Sequence, residues 1–505
     1  MDKELTQSGA PLLESTLFIT PKKPLDEISR LIGRGLQRNG LQPRGNPRFV
    51  STRYKLPERD HFVGYSWCYE TMPTGDIAIL LEISKYHEGE RGREIPPRIT
   101  PEEIIHHAEC FKAWVSQESE ISEAPTGQYR APSLPAIQYQ VGNGIFPRKN
   151  ACVNNFFHLE PIPIINIYYK AEFREQSKLA CESLRNQLRA FGMVGVNGQT
   201  PIMTTISYRN VLPQSNNDAA DCILISPGLV GADEEAAEEA RTIISQVRGH
   251  NKGLNVFDWE RPDNIYKWNN LAACILYNNG SEPWRIHDLD INNSIYVGID
   301  LGHDYGLGKS KICMTFIDKY GRELPGFRYI NGDLPLNERQ FHARWDQMIN
   351  ELITRLTAIQ ERFHFENVVI HKDGNILEDS AIFYRRLKEK FSSISLVEVI
   401  KSNSAHILDP APQVGNVFDF GSFILLQTLP FVHLGVCSRP IKIKIRNSDL
   451  ERRAIIESIF MLSRAFCGDS LYADKKLPIT THIADRFSSF QIGKTLQSFN
   501  IAKKG

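Results

Sequence analysis

A chain of 505 residues with 41% hydrophobic and 23% charged side chains carries enough apolar material for two or more packed cores. No run is long and apolar enough to cross a bilayer, and the N-terminus, MDKELTQSGAPLLEST, lacks a signal peptide's apolar core, so a cytoplasmic protein is expected. Nine cysteines are scattered singly with no CxxC pair and no Cys/His zinc spacing, which argues against a disulfide framework or a zinc module. Net charge is zero, yet residues 301–505 hold 28 Lys+Arg against 22 Asp+Glu, leaving the first 300 residues at −6. A mildly basic half is compatible with nucleic acid and does not require it.

In chain order, residues 1–130 form a mixed region. Strand-like FVGYSWCYE and DIAILLEISKY precede the helical PEEIIHHAECFKAWVSQ, whose His106 and His107 are expected at the surface. The stretch SEISEAPTGQYRAPSLP, 119–135, is rich in Ser, Pro and Gly and reads as a linker. From about residue 160, strand and helix alternate. PIPIINIYY is a strand and EFREQSKLACESLRNQLRAFG a helix ending in glycine. DCILISPG is a strand, and DEEAAEEARTIISQVRGHNKG a helix with acidic start and basic end. GLNVFDW is a strand and YKWNNLAACILYNNG a helix. That alternation predicts a parallel sheet covered by helices.

A second α/β unit follows. IYVGID reads as a strand with KICMTFID as its hairpin partner. A long helix over ERQFHARWDQMINELITRLTAIQERF places Phe341, Trp345, Met348, Leu352 and Leu356 on one face. VVIHKDG is a buried strand that stops at a turn. In PIKIKIRN basic residues alternate outward, and SDLERRAIIESIFMLSRAF is a helix opened by a Ser448–Glu451 capping box. GLGKS, 306–310, imitates a phosphate loop, but the required first glycine is His303 and no helix follows.

Three carboxylates share one context. Asp300 ends IYVGID, Asp373 ends VVIHKDG, and Asp485 lies in THIADRF, just after LPITT, at the expected start of the last helix. Ends of neighbouring strands converge at one sheet edge, and converging carboxylates repel unless a cation neutralises them. An all-oxygen cluster suits Mg²⁺ or Mn²⁺, and two such ions support phosphodiester cleavage. Hairpin with the first Asp, helix, strand with the second Asp and late acidic helix is the layout of an RNase H-like fold.

These motifs make the chain identifiable by resemblance. YVGIDLGHD, VVIHKDG, SRPIKIKI followed by LSRAFCGDSLYADKKLPITTHIADRF, and GSEPWRI (280–286) resemble the MID and PIWI domains of prokaryotic Argonaute proteins over about residues 135–505. The resemblance implies an α/β chain with a Rossmann-like MID domain (161–288) and an RNase H-like PIWI domain (289–505). Ahead of them would lie a mixed α+β N-terminal region (1–130), without a clear PAZ domain, and a linker (131–160). Asp300, Asp373 and Asp485 match three of the family's four catalytic positions. The fourth is a glutamate on a loop, for which INGDLPLNERQF offers Glu338, with Asp333 as the alternative. The implied partners are a short guide strand and its complementary target. The implied activity is guide-directed endonuclease cleavage in prokaryotic defence, with Mg²⁺ or Mn²⁺ as cofactor.

The MID pocket departs from the family pattern. Where it normally grips a guide's 5′ phosphate with Lys and Gln, ARTIISQVR offers Arg241 with Ser245 or Gln246, GLNVFDW offers Val256 or Phe257, and Asn278 stands for another lysine. Such a pocket compensates a phosphate dianion poorly. The expectation is a guide with a 5′ hydroxyl, or a phosphate anchored by Lys252 or Lys267. Arg439, Lys442, Lys444 and Arg446 are candidate contacts to nucleic-acid backbone. The chain's length also fits the alternative of a non-cleaving short Argonaute that activates a separate effector protein.

Overall fold

The protein is seen in a computed structural model that describes residues 13–44, 53–57, 62–86, 99–116, 120–154, 156–192, 201–208, 219–225, 255–258, 265–287, 289, 293–304, 308–335, 338–376, 380–402, 405–408, 411–433, 436–465 and 474–489. Two units separate by contact. One is Met1–Pro135 with Gly374–Ile376 and Val397–Arg446; the other is Ala136–Asp373 with Leu377–Leu396 and Asn447–Gly505. The stretch 289–505, expected as one domain, therefore contributes to both.

In the first unit, side chains alternating between faces build an antiparallel sheet whose strand Ile77–Tyr86 is buried on both sides. Its strand order is Gln42–Arg44, Arg53–Pro57, Phe62–Thr71, Ile77–Tyr86, Leu17–Thr20 and Ser122–Glu123. Ile77, Ile79, Leu81 and Ile83 face Val63, Tyr65, Trp67 and the helices Leu25–Arg38 and Pro101–Ser116. Ala78 and Leu80 face the opposite cluster with Leu17, Phe418, Phe423 and Leu425. His107, expected at the surface, is instead 5% exposed, with Nδ1 2.7 Å from Tyr65 Oη. The supposed linker is ordered in its described part. Ser122–Glu123 pairs with Phe18 and Ile19, and Arg130–Ala131 pairs with Val417 and Phe418. Ladder bonds use backbone groups, so a polar, Pro-rich composition concealed them. Residues 397–446 join this unit through such pairings as Ser15 with Ile407 and Leu134 N–H to Gly415 O, 2.9 Å.

In the second unit we label elements from Ile164. Strands β1 (Ile164–Lys170), β2 (Ile202–Tyr208), β3 (Ala219–Ile225) and β4 (Asn255–Asp258) form a wholly parallel sheet in the order β2-β1-β3-β4, as the alternation predicts. Helices α1 (Arg174–Ala190) and α2 (Ile265–Asn278) belong to it; the helix expected over 233–253 lies outside the described residues. Strand β2 went unread because MTTISY lacks an apolar run.

The remaining part of this unit begins with the hairpin β5 (Ser294–Asp304) and β6 (Lys309–Ile317), flanked by antiparallel β7 (Tyr329–Pro335) and parallel β8 (Asn367–Asp373). Helix α3 (Glu338–Gln360) buries Met348, Leu352 and Leu356. Helices α4 (Ser380–Lys388), α5 (Arg452–Ala465) and α6 (Ile479–Ser488) complete it. Two expectations need correction. Ser448 does not cap α5: it ends a strand, and its Oγ accepts from Leu450 N–H at 3.0 Å. LPITT does not precede α6 but opens it, with Pro478 at the N-cap, where its fixed φ and lost N–H cost little. Asp485 consequently lies in the second half of the helix.

Candidate metal centre and active site

Strand register brings the first two carboxylates together. Strands β5 and β8 run parallel with Ser294 opposite Asn367 and Ile299 opposite Lys372, an offset of 73 residues. Asp300 and Asp373 are separated by the same 73, so they stand side by side on adjacent strands and share a face. Asp373 ends β8, whereas Asp300, expected to end its strand, lies inside β5, which continues to Asp304 in its hairpin pairing with β6.

Helix α6 supplies the third. On the Asp300 face of β5, the residues two before and two after it are Gly298 and Gly302. A Cβ on Gly298 would lie 2.1 Å from Thr480 O, and one on Gly302 2.1 Å from Ser488 O. These glycines let the helix backbone rest on the strand at both places. Eight residues of helix rise about 12 Å and four residues of strand about 13 Å, so the two run side by side. Asp485 falls between the contacts, as Asp300 does. The first contact is locked by a row of three aligned residues. Thr315 Oγ1 donates to Thr480 O at 3.1 Å, Gly298 makes room, and His371 Nδ1 lies 2.8 Å from Thr480 Oγ1. Burial alone pushes His371 down to about 3, so it sits neutral in this latch.

The outcome is a cluster in which one carboxylate oxygen from each of Asp300, Asp373 and Asp485 lies within 4.8 Å of the other two, the first two residues buried and the third half-buried. Lys372 Nζ donates to Asp373's backbone carbonyl at 2.6 Å, and Lys311 Nζ to Ser489 O at 2.6 Å. Three anions this close are costly as a purely structural motif. As an all-oxygen donor set they fit a hard divalent ion such as Mg²⁺ or Mn²⁺. Asp333 lies on β7 and Glu338 begins α3; the side chains of both lie outside the described residues.

The other expected site residues are not brought together. Arg241, Ser245 and Lys252, with Gln246, lie outside the described residues, as do the side chains of Val256 and Phe257 on β4. Lys267 and Asn278 sit near opposite ends of α2, about 16 Å apart along its axis, too far to grip one phosphate together. Lys267 is 7% exposed, with Nζ 5.6 Å from the Trp268 ring centroid. The strand cations take internal carboxylates. Lys442 and Lys444 each reach Glu70 at 2.7 Å, Arg439 pairs with Glu82, and Arg446 pairs with Glu398 through bonds of 2.9 and 3.0 Å. Burial pulls the Lys442 ammonium down, but Cys68 and Glu70 outweigh it and hold the group above its ordinary range. Outward alternation in sequence thus concealed buried partners supplied by distant strands. Lys442→Met is therefore expected to leave the salt dependence of nucleic-acid binding unchanged. A fall of about one in the log–log slope would return Lys442 to the phosphate contacts.

No protein-family model matches the chain. It is 28% identical over 228 residues to the Argonaute of Marinitoga hydrogenitolerans and 30% identical over 199 residues to that of Marinitoga piezophila. These matches cover 44% and 39% of this chain and 33% and 30% of those proteins, so the matched stretch spans about a third of each relative. Among solved structures, Marinitoga piezophila Argonaute in complex with 5′-OH guide RNA and target DNA superposes with TM-score 0.67 at 15% identity, over 92% of this chain and 85% of that one. Over the matched stretches the chain is similar to prokaryotic Argonautes. Its α/β fold matches structures with a MID domain and an RNase H-like PIWI domain. Drosophila Piwi gives TM-score 0.64 at 11% identity over 95% of this chain and 85% of that one. No helix among the described residues is long and apolar enough to cross a membrane.

Sequence reading missed Gly298, Gly302, Thr480 and Ser488. The signal for the glycines was present, since GIDLG spaces them on the carboxylate's own face.

Proposed function

We propose that this chain is a guide-directed nucleic-acid-binding protein that cleaves target strands complementary to its guide, in prokaryotic defence. The carrying observation is the convergence of Asp300, Asp373 and Asp485 within 4.8 Å. In this reading the three side chains hold the metal, with Glu338 or Asp333 as the fourth acidic group. The MID, PIWI and N-terminal assignments keep their sequence boundaries as functional regions, with residues 397–446 of the PIWI range packed in the first compact unit. Divalent ions held by Asp300, Asp373 and Asp485 would supply the Lewis acidity that activates water and stabilises a leaving oxygen. Water adds to phosphorus, the P–O3′ bond breaks, and the products carry a 3′ hydroxyl and a 5′ phosphate. Base pairing with the guide selects the target, so the protein's own contacts need only hold backbone in place.

The non-cleaving alternative with a separate effector gives the acidic cluster no purpose, while the chain still bears the repulsion of three close carboxylates. That favours the enzyme. For the guide's end, we favour a 5′ hydroxyl. The sequence offers Ser245 or Gln246, Val256 or Phe257, and Asn278 where the family's pattern has phosphate-gripping Lys and Gln, and Marinitoga piezophila Argonaute, similar in fold and in part of its sequence, was solved with such a guide.

The test loads the purified protein with RNA and DNA guides bearing either 5′ end, then adds labelled complementary targets with Mg²⁺, Mn²⁺ or EDTA. We expect guide-dependent cutting with either ion, none in EDTA, and no advantage for a 5′ phosphate. Tight target binding without a cut under every condition would exclude the nuclease. A strong 5′-phosphate preference abolished by Arg241→Ala would exclude the hydroxyl reading.

A further inference from the structure

Ser488 closes helix α6 and is 1% exposed. Its Oγ lies 2.5 Å from Asp300 Oδ2 and 3.2 Å from the carbonyl of Asp485. A hydroxyl has one proton to give, and a carboxylate oxygen at the shorter distance is the stronger acceptor. The proton therefore goes to Asp300. The serine backbone is itself held, because its carbonyl rests against Gly302.

We infer that Ser488 is a positioning residue for the metal centre: by donating to Oδ2 it sets the rotation of the Asp300 carboxylate, and so which edge faces Asp373 and Asp485. The torsion of a free carboxylate is broad. Repulsion from the other two carboxylates drives its oxygens away from the convergent arrangement an ion needs. The hydroxyl holds the arrangement against that repulsion before any ion arrives. Bonds of this kind to a ligating carboxylate typically change metal affinity 10–100-fold. The inference rests on reading the acidic centre as a metal site. The 3.2 Å contact to Asp485 offers a rival account, in which Ser488 merely bonds back within its own helix, as serines often do.

The experiment is a Mn²⁺ titration of the full chain followed by the paramagnetic signal of free Mn²⁺, with the metal dependence of target cutting alongside. The variants are S488A and S488C, the latter nearly isosteric with a weaker donor. We expect S488A to weaken Mn²⁺ binding about 10–100-fold and S488C to fall between, with guide affinity unchanged. In EDTA, S488A should melt lower by no more than the loss of one buried hydrogen bond explains, and S488C close to the unmodified protein. S488A binding Mn²⁺ like the unmodified protein overturns the inference. So does a loss of metal that only accompanies a loss of stability in both variants, which is the back-bonded helix account. If the Ser488 series behaves as expected yet no target is cut, the endonuclease reading fails and the positioning role stands. If the unmodified protein holds no more Mn²⁺ than D300A, both fail together.

Discussion

Replacing Asp373 by alanine is expected to leave a guide-loaded protein that still holds its target but cuts it about 10³-fold more slowly or worse. Asp373 is 8% exposed, ends β8 and stands beside Asp300 by register. It is one of three carboxylates that each place an oxygen within 4.8 Å of the others, and in the proposed reaction losing one would forfeit several kcal/mol of transition-state stabilisation. A second variant separates function from structure. Asp373→Asn keeps the shape and removes one of three repelling charges. In EDTA it should melt no lower than the unmodified protein and gain on the order of 1 kcal/mol, while losing the same cutting activity. The check is single-turnover cleavage beside thermal melts with and without metal. A variant that cuts normally removes Asp373 from the active site. One that melts well below the unmodified protein in EDTA makes it a structural aspartate.

The second large effect is at Gly298. An alanine methyl there meets Thr480 O at 2.1 Å, Thr480 C at 2.3 Å and Thr315 Oγ1 at 2.7 Å. Two of those atoms are helix backbone, and the helix is latched to the same row by Thr315 and His371, so it cannot yield without breaking hydrogen bonds. Overpacking typically costs 1–3 kcal/mol, and this site belongs near the top of the range, about 3 kcal/mol. Shifting α6 also moves Asp485 away from Asp300. A misplacement of about 1 Å costs a further 10²-fold in rate. Gly302→Ala should behave alike, through Ser488 O at 2.1 Å. Denaturant melts together with the Mn²⁺ titration measure both effects. Full stability and unchanged metal affinity in G298A would show that the close helix–strand approach does not hold the site together.

Much of this architecture was legible in the chain because it is written locally. DIAILLEISKY carries an unbroken apolar run, Ile77–Leu81, and became a strand buried on both faces. YKWNNLAACILYNNG repeats at helical spacing and became α2. Strand-then-helix order in residues 160–285 predicted a parallel sheet, since parallel neighbours need a crossover between them. Asp300 and Asp373 were legible for a related reason: each follows an apolar run as its first carboxylate, although only Asp373 ends its strand while β5 continues past Asp300 to Asp304.

What tertiary structure alone decided is everything that depends on pairing across long separations. Whether Lys442 meets phosphate or protein turned on Glu70, 372 residues away, which arrives only when their strands assemble. Arg446 was claimed likewise by Glu398, which is fully buried. The linker-like 119–135 joined two ladders through backbone groups that composition does not describe. The third carboxylate shows the division most clearly. Sequence placed Asp485 near a helix start, but only the fit of α6 against two glycines, with Ser488 reaching Asp300, brings it within 4.8 Å of its partners. Local sequence determines which residues can form strands, helices and turns, because torsional preference and side-chain periodicity act over a few residues. Which charges end up facing one another is set by register and close packing between elements, and those exist only in the folded chain.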